Sequence, residues 1–356
     1  MDELSKKVLV AGGAGYIGSH MVLALQDAGY ETVVFDNLSR GFSDAVGTAS
    51  LVVGDLRSAP DLDACFAEHD FDLIMHFAAL AYVGESVTEP ELYYQNNVVG
   101  TLNLLETMRR HGVNNIVFSS SCATYGEPDY VPMDELHPQR PINPYGRTKL
   151  MVEHALSDYA TAYDLQSVSL RYFNAAGCDP KGRASERHSP ETHLIPLVLA
   201  EAMRVKQGGD PAATALHVFG NDFATADGSC VRDYIHVTDL CQAHLLAARR
   251  LLANQVAGTE AFNLANGEGF SVFEVIDICR SVTGQSIQYR LEARRPGDPA
   301  ALVGDARRAS DILGWKPEFV GLQQIVGTAW TFLNGGLERR MLHRSIVVGS
   351  LSMLPP

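Results

Sequence analysis

The sequence predicts an α/β fold, a doubly wound and mostly parallel sheet followed by a smaller C-terminal lobe. Short apolar runs of strand length alternate with amphipathic helical stretches through the first half of the chain, which is typical of parallel sheets covered by helices. A strand, a glycine-rich turn and a helix also follow one another near the N-terminus. The 356 residues are about twice the length of a typical domain, which leaves room for the second lobe.

The composition restricts the class of protein. Hydrophobic residues make up 46% of the chain and charged residues 20%, as in globular proteins. The net charge of −14 argues against a nucleic-acid or anionic-membrane partner. No stretch approaches about 20 apolar residues and the first residues are polar, so we expect no membrane span and no signal peptide. The six cysteines and twelve histidines lack metal-site spacing, so we expect no metal and a cytoplasmic protein with reduced thiols.

The first strand, Val8 to Ala11, runs into glycines spaced G-x-x-G-x-x-G, and a helix follows as far as Gly29. Glycines in this context allow a tight turn and let backbone N–H groups approach a pyrophosphate at the helix N-terminus. The pattern therefore predicts a Rossmann-type dinucleotide site. The turn residues that we expect to bind the cofactor are Gly12, Gly15, Tyr16, Ile17 and Gly18.

The second strand, Glu31 to Asp36, ends in an acid about 20 residues beyond the glycines, where a carboxylate can bind a ribose 2′-hydroxyl. A carboxylate there would repel a 2′-phosphate, so we expect NAD rather than NADP. Asn37 stands beside it.

Three further strands are predicted at Leu51–Asp55, Leu73–Ala79 and Asn115–Ser121. Ligands bind at the carboxyl ends of parallel strands, and a helix from Tyr93 to Met108 places the amide of Asn96 among apolar neighbours. The residues expected to line the cofactor here are Asp55, Leu56, Phe77, Ala78, Ala79, Asn96 and Ser119.

Pro144 can open a helix, which places Tyr145 and Lys149 one turn apart on the same face. A tyrosine has a pKa of about 10, but a nearby lysine and an oxidised nicotinamide would favour its phenolate. Tyr145 could then accept a proton from an alcohol while hydride leaves the carbon, with Ser121 bound to the same oxygen. We therefore predict Tyr145, Lys149 and Ser121 as the catalytic residues. Tyr172, on a strand from Ser167 to Phe173, joins the cofactor residues.

The division into domains is predicted as 1–176 for the cofactor domain and 177–335 for the smaller lobe, with the segments around 233–265 returning to the cofactor domain. The tail 336–356 is unassigned. In the lobe, a helix is predicted from His193 to about Met203, and a strand from Val231 feeds a helix to about Leu252.

The chain resembles the extended short-chain dehydrogenase/reductase family, and within it the UDP-hexose 4-epimerases. The motifs that carry this resemblance are Gly12–His20, His76–Ala79, Val83–Ser86, Ser119–Ser121, Tyr145–Lys149, Arg171–Asn174, Phe219–Asp222, Asp227–Gly228, Val231–Val237 and Gly314–Pro317. The resemblance implies a tightly held NAD, a homodimer and a UDP-sugar substrate. UDP-galactose and UDP-glucose would be interconverted by oxidation at C4, rotation of the ketose and return of the hydride.

The same resemblance implies which residues bind the substrate. Arg232 and Arg295 are fork-shaped donors suited to a pyrophosphate. The expected substrate residues are Ser121, Phe173, Asn174, His193, Leu194, Phe219, Arg232, Arg295 and Asp298. Some family members have Asn where this chain has His193, and Leu302 stands near the position that gates N-acetylated sugars.

Three alternatives remain open at this stage. The enzyme could act on another nucleotide sugar, such as a UDP-N-acetylhexosamine, UDP-uronate or UDP-pentose. It could be a net oxidoreductase that exchanges NAD with solution, or a sensor without catalysis, which would not need Tyr145, Lys149 and Ser121. A 4,6-dehydratase is disfavoured because no carboxylate follows Ser121 in Cys122-Ala123-Thr124.

Overall fold

The computed structural model describes residues 6–295 and 297–335, and its main sheet has seven strands. All six pairings between neighbouring strands are parallel. The strands in sheet order are β10 (Thr259–Leu264), β6 (Gln166–Tyr172), β5 (Asn115–Ser121), β4 (Leu73–His76), β1 (Lys7–Ala11), β2 (Glu31–Asp36) and β3 (Ser50–Val53). The predicted fold class is confirmed.

The order of the strands reverses between β1 and β4. In register, Ala11 lies opposite Phe35 of β2 and His76 of β4. A crevice opens at such a switch point, at the carboxyl ends of the strands. The observed β3 and β4 are shorter than predicted, so Asp55 and Phe77 to Ala79 lie in the loops that leave these ends.

Helices cover both faces of this sheet. The helices with defined bounds are α1 (Tyr16–Asp27), α2 (Ala59–Glu68), α3 (Val83–Thr88), α4 (Pro90–Tyr93), α5 (Gly100–Arg110), α6 (Pro144–Tyr163), α7 (Leu194–Lys206), α8 (Val237–Leu252) and α9 (Val272–Thr283). Apolar side chains of α1 and α8 form the core on one face, and those of α2, α5 and α6 form the core on the other. The sheet is therefore buried on both sides, as its apolar strands require.

A second, smaller sheet begins where the chain leaves β6. It contains β7 (Asn174–Ala176), β9 (Val231–His236), β11 (Gly269–Ser271) and β13 (Ala301–Leu302), while β8 (His217–Phe219) pairs with β12 (Arg290–Glu292). Helices α7 and α9 and a helix over residues 322–335 pack around a separate core.

One part of the predicted domain division is wrong. We expected the strand near residue 233 to return to the main sheet, but β9 pairs with β7 in the second sheet. The open edge of β6 is taken instead by β10. Besides α8 and β10, the segment with Ala309, Leu313 and Trp315 packs into the core of the cofactor half. The remaining division stays a prediction, and the tail 336–356 lies outside the described residues.

The cysteine side chains are all unpaired and buried, as expected for reduced thiols. Within the described part of the chain, no helix has both the length and the apolar character needed to cross a membrane.

Candidate active site

The glycine-rich turn between β1 and α1 fits a pyrophosphate. A Cβ on Gly12 would lie 2.4 Å from the Ala78 nitrogen, and one on Gly18 would lie 2.1 Å from the Gly12 oxygen. Both glycines are therefore required by backbone packing. A Cβ added to Gly15 would have its nearest neighbour 3.5 Å away. Among the described residues, no side chain caps the start of α1. Gly15 thus leaves free N–H groups and space for an anion.

Asp36 is fixed at the end of β2, next to this turn. One carboxylate oxygen accepts a hydrogen bond from the Ala14 nitrogen at 3.0 Å, and the other accepts one from the Leu38 nitrogen at 2.8 Å. Burial raises the pKa of Asp36, and these two hydrogen bonds oppose the rise. The carboxylate is thereby held rigidly where a ribose would lie.

Asp55 is tied to its neighbours. Arg57 donates two hydrogen bonds to it, at 2.9 and 2.6 Å, and Asn37 donates one at 3.0 Å. The bond from Arg57 is the main reason that the pKa of Asp55 is lowered. Asn37 and Asp55 therefore lie together at the ends of β2 and β3, and their contact with a cofactor stays a prediction.

Tyr145 and Lys149 lie buried in the first turns of α6, as predicted. The side chain of Asn143 caps this helix by accepting a hydrogen bond from the Gly146 nitrogen at 2.8 Å. The Lys149 ammonium donates to the Ser119 carbonyl at 2.7 Å and lies 5.9 Å from the centroid of the Tyr145 ring. Burial lowers the pKa of Lys149 to about 7, and Glu153 opposes this shift.

The protein groups alone do not favour the deprotonated form of Tyr145. Burial raises the pKa of Tyr145 well above its usual value, and the Ser121 side chain opposes this rise. We expected Lys149 to favour the phenolate of Tyr145, but the protein groups alone do not have this effect. The reason is that Lys149 is itself desolvated and directs its ammonium to a backbone carbonyl.

The buried amide near the site is Asn97, not Asn96. Asn97 exchanges hydrogen bonds with the Leu80 backbone at 2.9 and 3.0 Å and donates to Thr148 at 3.1 Å. Asn96 is only partly buried and donates to the Asn97 side chain. A π-helical turn over Tyr94–Val99 rotates the helix face away from the spacing of an α-helix. The predicted contact of Asn96 with the cofactor stays a prediction.

The other predicted cofactor residues lie around the same crevice. Tyr172 shares a 2.6 Å hydrogen bond with the Ser119 hydroxyl, and burial raises the pKa of Tyr172 to about 12. Tyr16 donates to the Gly177 carbonyl at 2.6 Å, which links α1 to the loop after β7. The remaining predicted cofactor residues are Ile17 in the first turn of α1, Leu56 after β3, and Phe77, Ala78 and Ala79 after β4.

Four of the predicted substrate residues come together in the second lobe. Arg295 donates to Asp298 at 3.0 Å, and Arg232 lies 3.7 Å from the other Asp298 oxygen. The Arg295 guanidinium lies 4.9 Å from the centroid of the Phe219 ring. Two guanidinium groups share one carboxylate, so this cluster keeps a net positive charge suited to a phosphate ligand.

Two other predicted substrate residues lie between the lobes. Phe173 is buried in a small apolar cluster with Cys122 and Leu302, adjacent to Ser121 at the end of β5. Asn174 donates to the Asp233 carbonyl at 3.0 Å, so its amide helps to hold β7 against β9.

The structure does not bring His193 to the arginine cluster through any described contact. Its ring hydrogen-bonds Glu191 at 2.8 Å and lies near the ring of Tyr82. Leu194 follows as the first residue of α7. The contact of these two residues with substrate stays a prediction.

Sequence reasoning missed a buried ion pair under the site. Glu153 lies one turn after Lys149, and its carboxylate pairs with Arg171 of β6 at 2.6 Å. Both side chains are only 8% exposed, and Arg171 also donates to Tyr125 and Gln139. The sequence signal that could have predicted this ion pair is an arginine within an apolar strand, because such a residue needs a buried partner.

The site combines a buried tyrosine–lysine pair, a glycine-rich turn and a fixed acid at the end of β2. This combination is typical of enzymes that carry out redox chemistry with a bound dinucleotide. The model of the NAD dependent epimerase/dehydratase family matches residues 8–265. The chain belongs to this family, which agrees with the resemblance stated from its motifs.

Similar proteins have known names and structures. A UDP-glucose 4-epimerase of Halalkalibacterium halodurans is 49% identical over 325 residues, which are 91% of this chain and 95% of that protein. The crystal structure of UDP-glucose 4-epimerase from Brucella ovis in complex with NAD has a TM-score of 0.85 at 47% identity, covering 92% of this chain and 98% of that one. The Bifidobacterium longum UDP-glucose 4-epimerase, in complex with NAD+ and UDP, has a TM-score of 0.86 at 35% identity, covering 93% and 98%.

Proposed function

We propose that this protein is a UDP-glucose 4-epimerase that interconverts UDP-galactose and UDP-glucose with tightly bound NAD. The observation that carries the proposal is the buried pair of Tyr145 and Lys149 on α6, whose lysine donates to the Ser119 carbonyl at the end of β5. The names and the coverage of its relatives support the same activity.

In this proposal Tyr145 exchanges the proton of the 4-hydroxyl, and Ser121 hydrogen-bonds the same oxygen. The glycine-rich turn and Asp36 would hold NAD, which would supply a hydride acceptor for C4 and, in its oxidised form, a positive charge that favours the phenolate. Lys149 has a pKa of about 7, so it can hold or release a proton near neutral pH. Because Lys149 reaches the Ser119 carbonyl, it is held in place beneath the tyrosine.

The residues after Ser121 favour reversible oxidation over loss of water. Cys122 to Thr124 form a 3-10 turn beside the site. Burial raises the pKa of the Cys122 thiol to about 12, so it stays protonated and supplies no base. A dehydration needs an additional acid and base, and this turn contains no carboxylate.

We assign the diphosphate of the substrate to Arg232 and Arg295. Arg232 is already anchored by donating to the Val231 and Pro299 carbonyls at 2.9 Å. Asp298 orients both guanidinium groups and keeps lone pairs for a hydroxyl. Phe219 is 37% exposed, so its ring is available to an aromatic base.

The test is an assay of the purified protein on UDP-galactose with no added NAD. We expect UDP-glucose to form, since the cofactor is retained and regenerated. Parallel assays with UDP-N-acetylgalactosamine, a UDP-uronate and a UDP-pentose test the alternative that another nucleotide sugar is the substrate. Accumulation of free NADH in place of an epimer would refute the proposal and indicate a net oxidoreductase.

We also propose that the enzyme is a cytoplasmic homodimer. Leu102 of α5 and Met151 and Tyr163 of α6 are exposed apolar side chains, and a helix face of this kind is suited to pair with a second copy. Light scattering of the purified protein should give twice the mass of one chain, and a mass of one chain would contradict the dimer.

A further inference from the structure

The loop between β7 and α7 contains a cluster of side chains with the chemistry of metal ligands. Glu186, His188, Glu191 and His193 each offer one ligand atom, and these four atoms all lie within 4.8 Å of one another. Within residues 6–295 and 297–335, this is the one group of its kind. Its E-x-H-x-x-E-x-H spacing matches none of the standard metal motifs, so sequence reasoning did not find it.

The distances within the cluster suit a four-coordinate cation. Metal bonds of about 2.1 Å to nitrogen or oxygen place tetrahedral ligands about 3.4 Å apart. His188 Nδ1 lies 3.5 Å from Glu186 and 3.2 Å from Glu191, and His193 Nδ1 lies 3.6 Å from Glu186. The last of the four histidine–glutamate pairs is His193 Nδ1 and Glu191 Oε1, which are hydrogen-bonded at 2.8 Å. His188 faces the other oxygen of the same carboxylate, Oε2. On binding an ion this hydrogen bond would open by about 0.6 Å and the Glu191 carboxylate would turn to present one oxygen.

The two glutamate carboxylates of this cluster favour the binding of a cation. The Glu186 side chain is only 8% exposed, and no described residue donates a hydrogen bond to its carboxylate. Two arginines that lie close in the fold are engaged elsewhere, since Arg187 pairs with Asp44 and Arg40 pairs with Glu85, both at 2.6 Å. The two histidine rings that lie 3.5 and 3.6 Å from the Glu186 carboxylate are hydrogen-bonded to Glu191 instead. A buried carboxylate without a hydrogen-bond donor is costly. A divalent ion bound by two carboxylates and two neutral imidazoles would make the group electrically neutral.

We propose that Glu186, His188, Glu191 and His193 bind one divalent transition-metal ion such as Zn²⁺. The ligands are the Nδ1 atoms of the two histidines and one oxygen from each glutamate. Imidazole and carboxylate together are ligands that Zn²⁺ accepts in tetrahedral sites.

The loop that carries these ligands contacts the cofactor-binding half of the protein. The Pro190 carbonyl accepts a hydrogen bond from Tyr82 at 2.9 Å, and the Asp179 nitrogen donates to His20 of α1 at 3.1 Å. The His188 ring meets the edge of the Tyr16 ring, with centroids 5.9 Å apart. A metal bound here would hold the loop in the conformation in which His188 packs against Tyr16 of α1.

The experiment measures metal binding directly and does not depend on epimerase activity. Purified protein is stripped with a chelator, titrated with Zn²⁺ by calorimetry, and analysed for retained zinc after gel filtration. We expect one equivalent per chain with a micromolar or tighter Kd. Glu186→Gln and His188→Asn should each weaken binding at least tenfold. His111→Asn is the matched control, because the His111 ring lies near Asp63, at 3.7 Å, and against Phe66, outside the cluster. This variant should bind Zn²⁺ like the wild type.

Substitution with Co²⁺ provides a second measurement that needs no variant. A four-coordinate His₂Glu₂ site should give intense visible absorption bands in the wild type, whereas the weak spectrum of hydrated Co²⁺ would overturn the proposal. Loss of all zinc from the wild type on gel filtration, or equal Zn²⁺ affinity in the wild type and both cluster variants, would overturn it as well.

Discussion

Replacing Lys149 with methionine should abolish most activity and yet stabilise the fold at low pH. The pKa of Lys149 is about 7, against about 10.4 for an ordinary lysine. At 1.36 kcal/mol for each pKa unit, burying the charged ammonium costs about 5 kcal/mol below pH 7. Methionine fills similar volume without this cost, although it loses the hydrogen bond to the Ser119 carbonyl.

The pH dependence isolates this effect from the lost hydrogen bond. Because the pKa is lowered in the folded state, the unfolded chain binds more protons between pH 7 and 10.4, and the wild type gains stability as pH rises through this window. The stability advantage of Lys149→Met should therefore shrink by about 3 kcal/mol between pH 6 and pH 9. Contributions to stability that do not depend on pH, such as the lost hydrogen bond, cancel when the two pH values are compared.

Urea unfolding of both proteins at pH 6 and pH 9, at equal NAD saturation, measures the difference. Lys181→Met is the control, because the Lys181 side chain is 70% exposed and its substitution should give no comparable pH dependence. An advantage of Lys149→Met that stays constant with pH would refute the burial of a costly charge at this position.

Three further predictions follow from the site. Tyr145→Phe should lower kcat by about 10²- to 10⁴-fold with an unchanged circular dichroism spectrum; near-normal turnover would remove Tyr145 as the base. Gly18→Ala should unfold the turn, since its Cβ would lie 2.1 Å from a backbone oxygen. Gly15→Ala should fold normally and lose NAD, as measured by assaying the cofactor released when the purified protein is denatured; NAD retained at wild-type levels would contradict the phosphate cradle. Glu153→Gln should lower the free energy of unfolding by about 3 to 5 kcal/mol, because its buried arginine partner loses its counter-charge; unchanged urea midpoints would show that the pair contributes little.

The main sheet could be predicted because its signals are local. Strands buried on both faces are continuous apolar runs, and the glycines before α1 are dictated by contacts within one βα unit. The predicted and observed bounds of β5 agree, and β6 differs by one residue at each end. The same locality explains why Tyr145 and Lys149 could be placed correctly on one helix face.

The errors came from features that no local pattern encodes. The sequence of β9 predicts a strand but not its partner, and tertiary packing assigns it to β7. The π-helical turn before α5 adds a residue to the helical period, so the buried amide is that of Asn97 and not that of Asn96. The pKa of Tyr145 depends on burial by residues distant in sequence, which spacing along a helix does not reveal.

The position of β10 at the edge of the main sheet has a consequence for synthesis of the protein. Its residues, Thr259–Leu264, pair with β6, which left the ribosome almost 90 residues earlier. Until they emerge, β6 presents an open row of N–H and C=O groups on which another nascent chain could pair. The cofactor half therefore completes its fold late in translation, and a chain terminated before β10 would expose a sheet edge prone to aggregation.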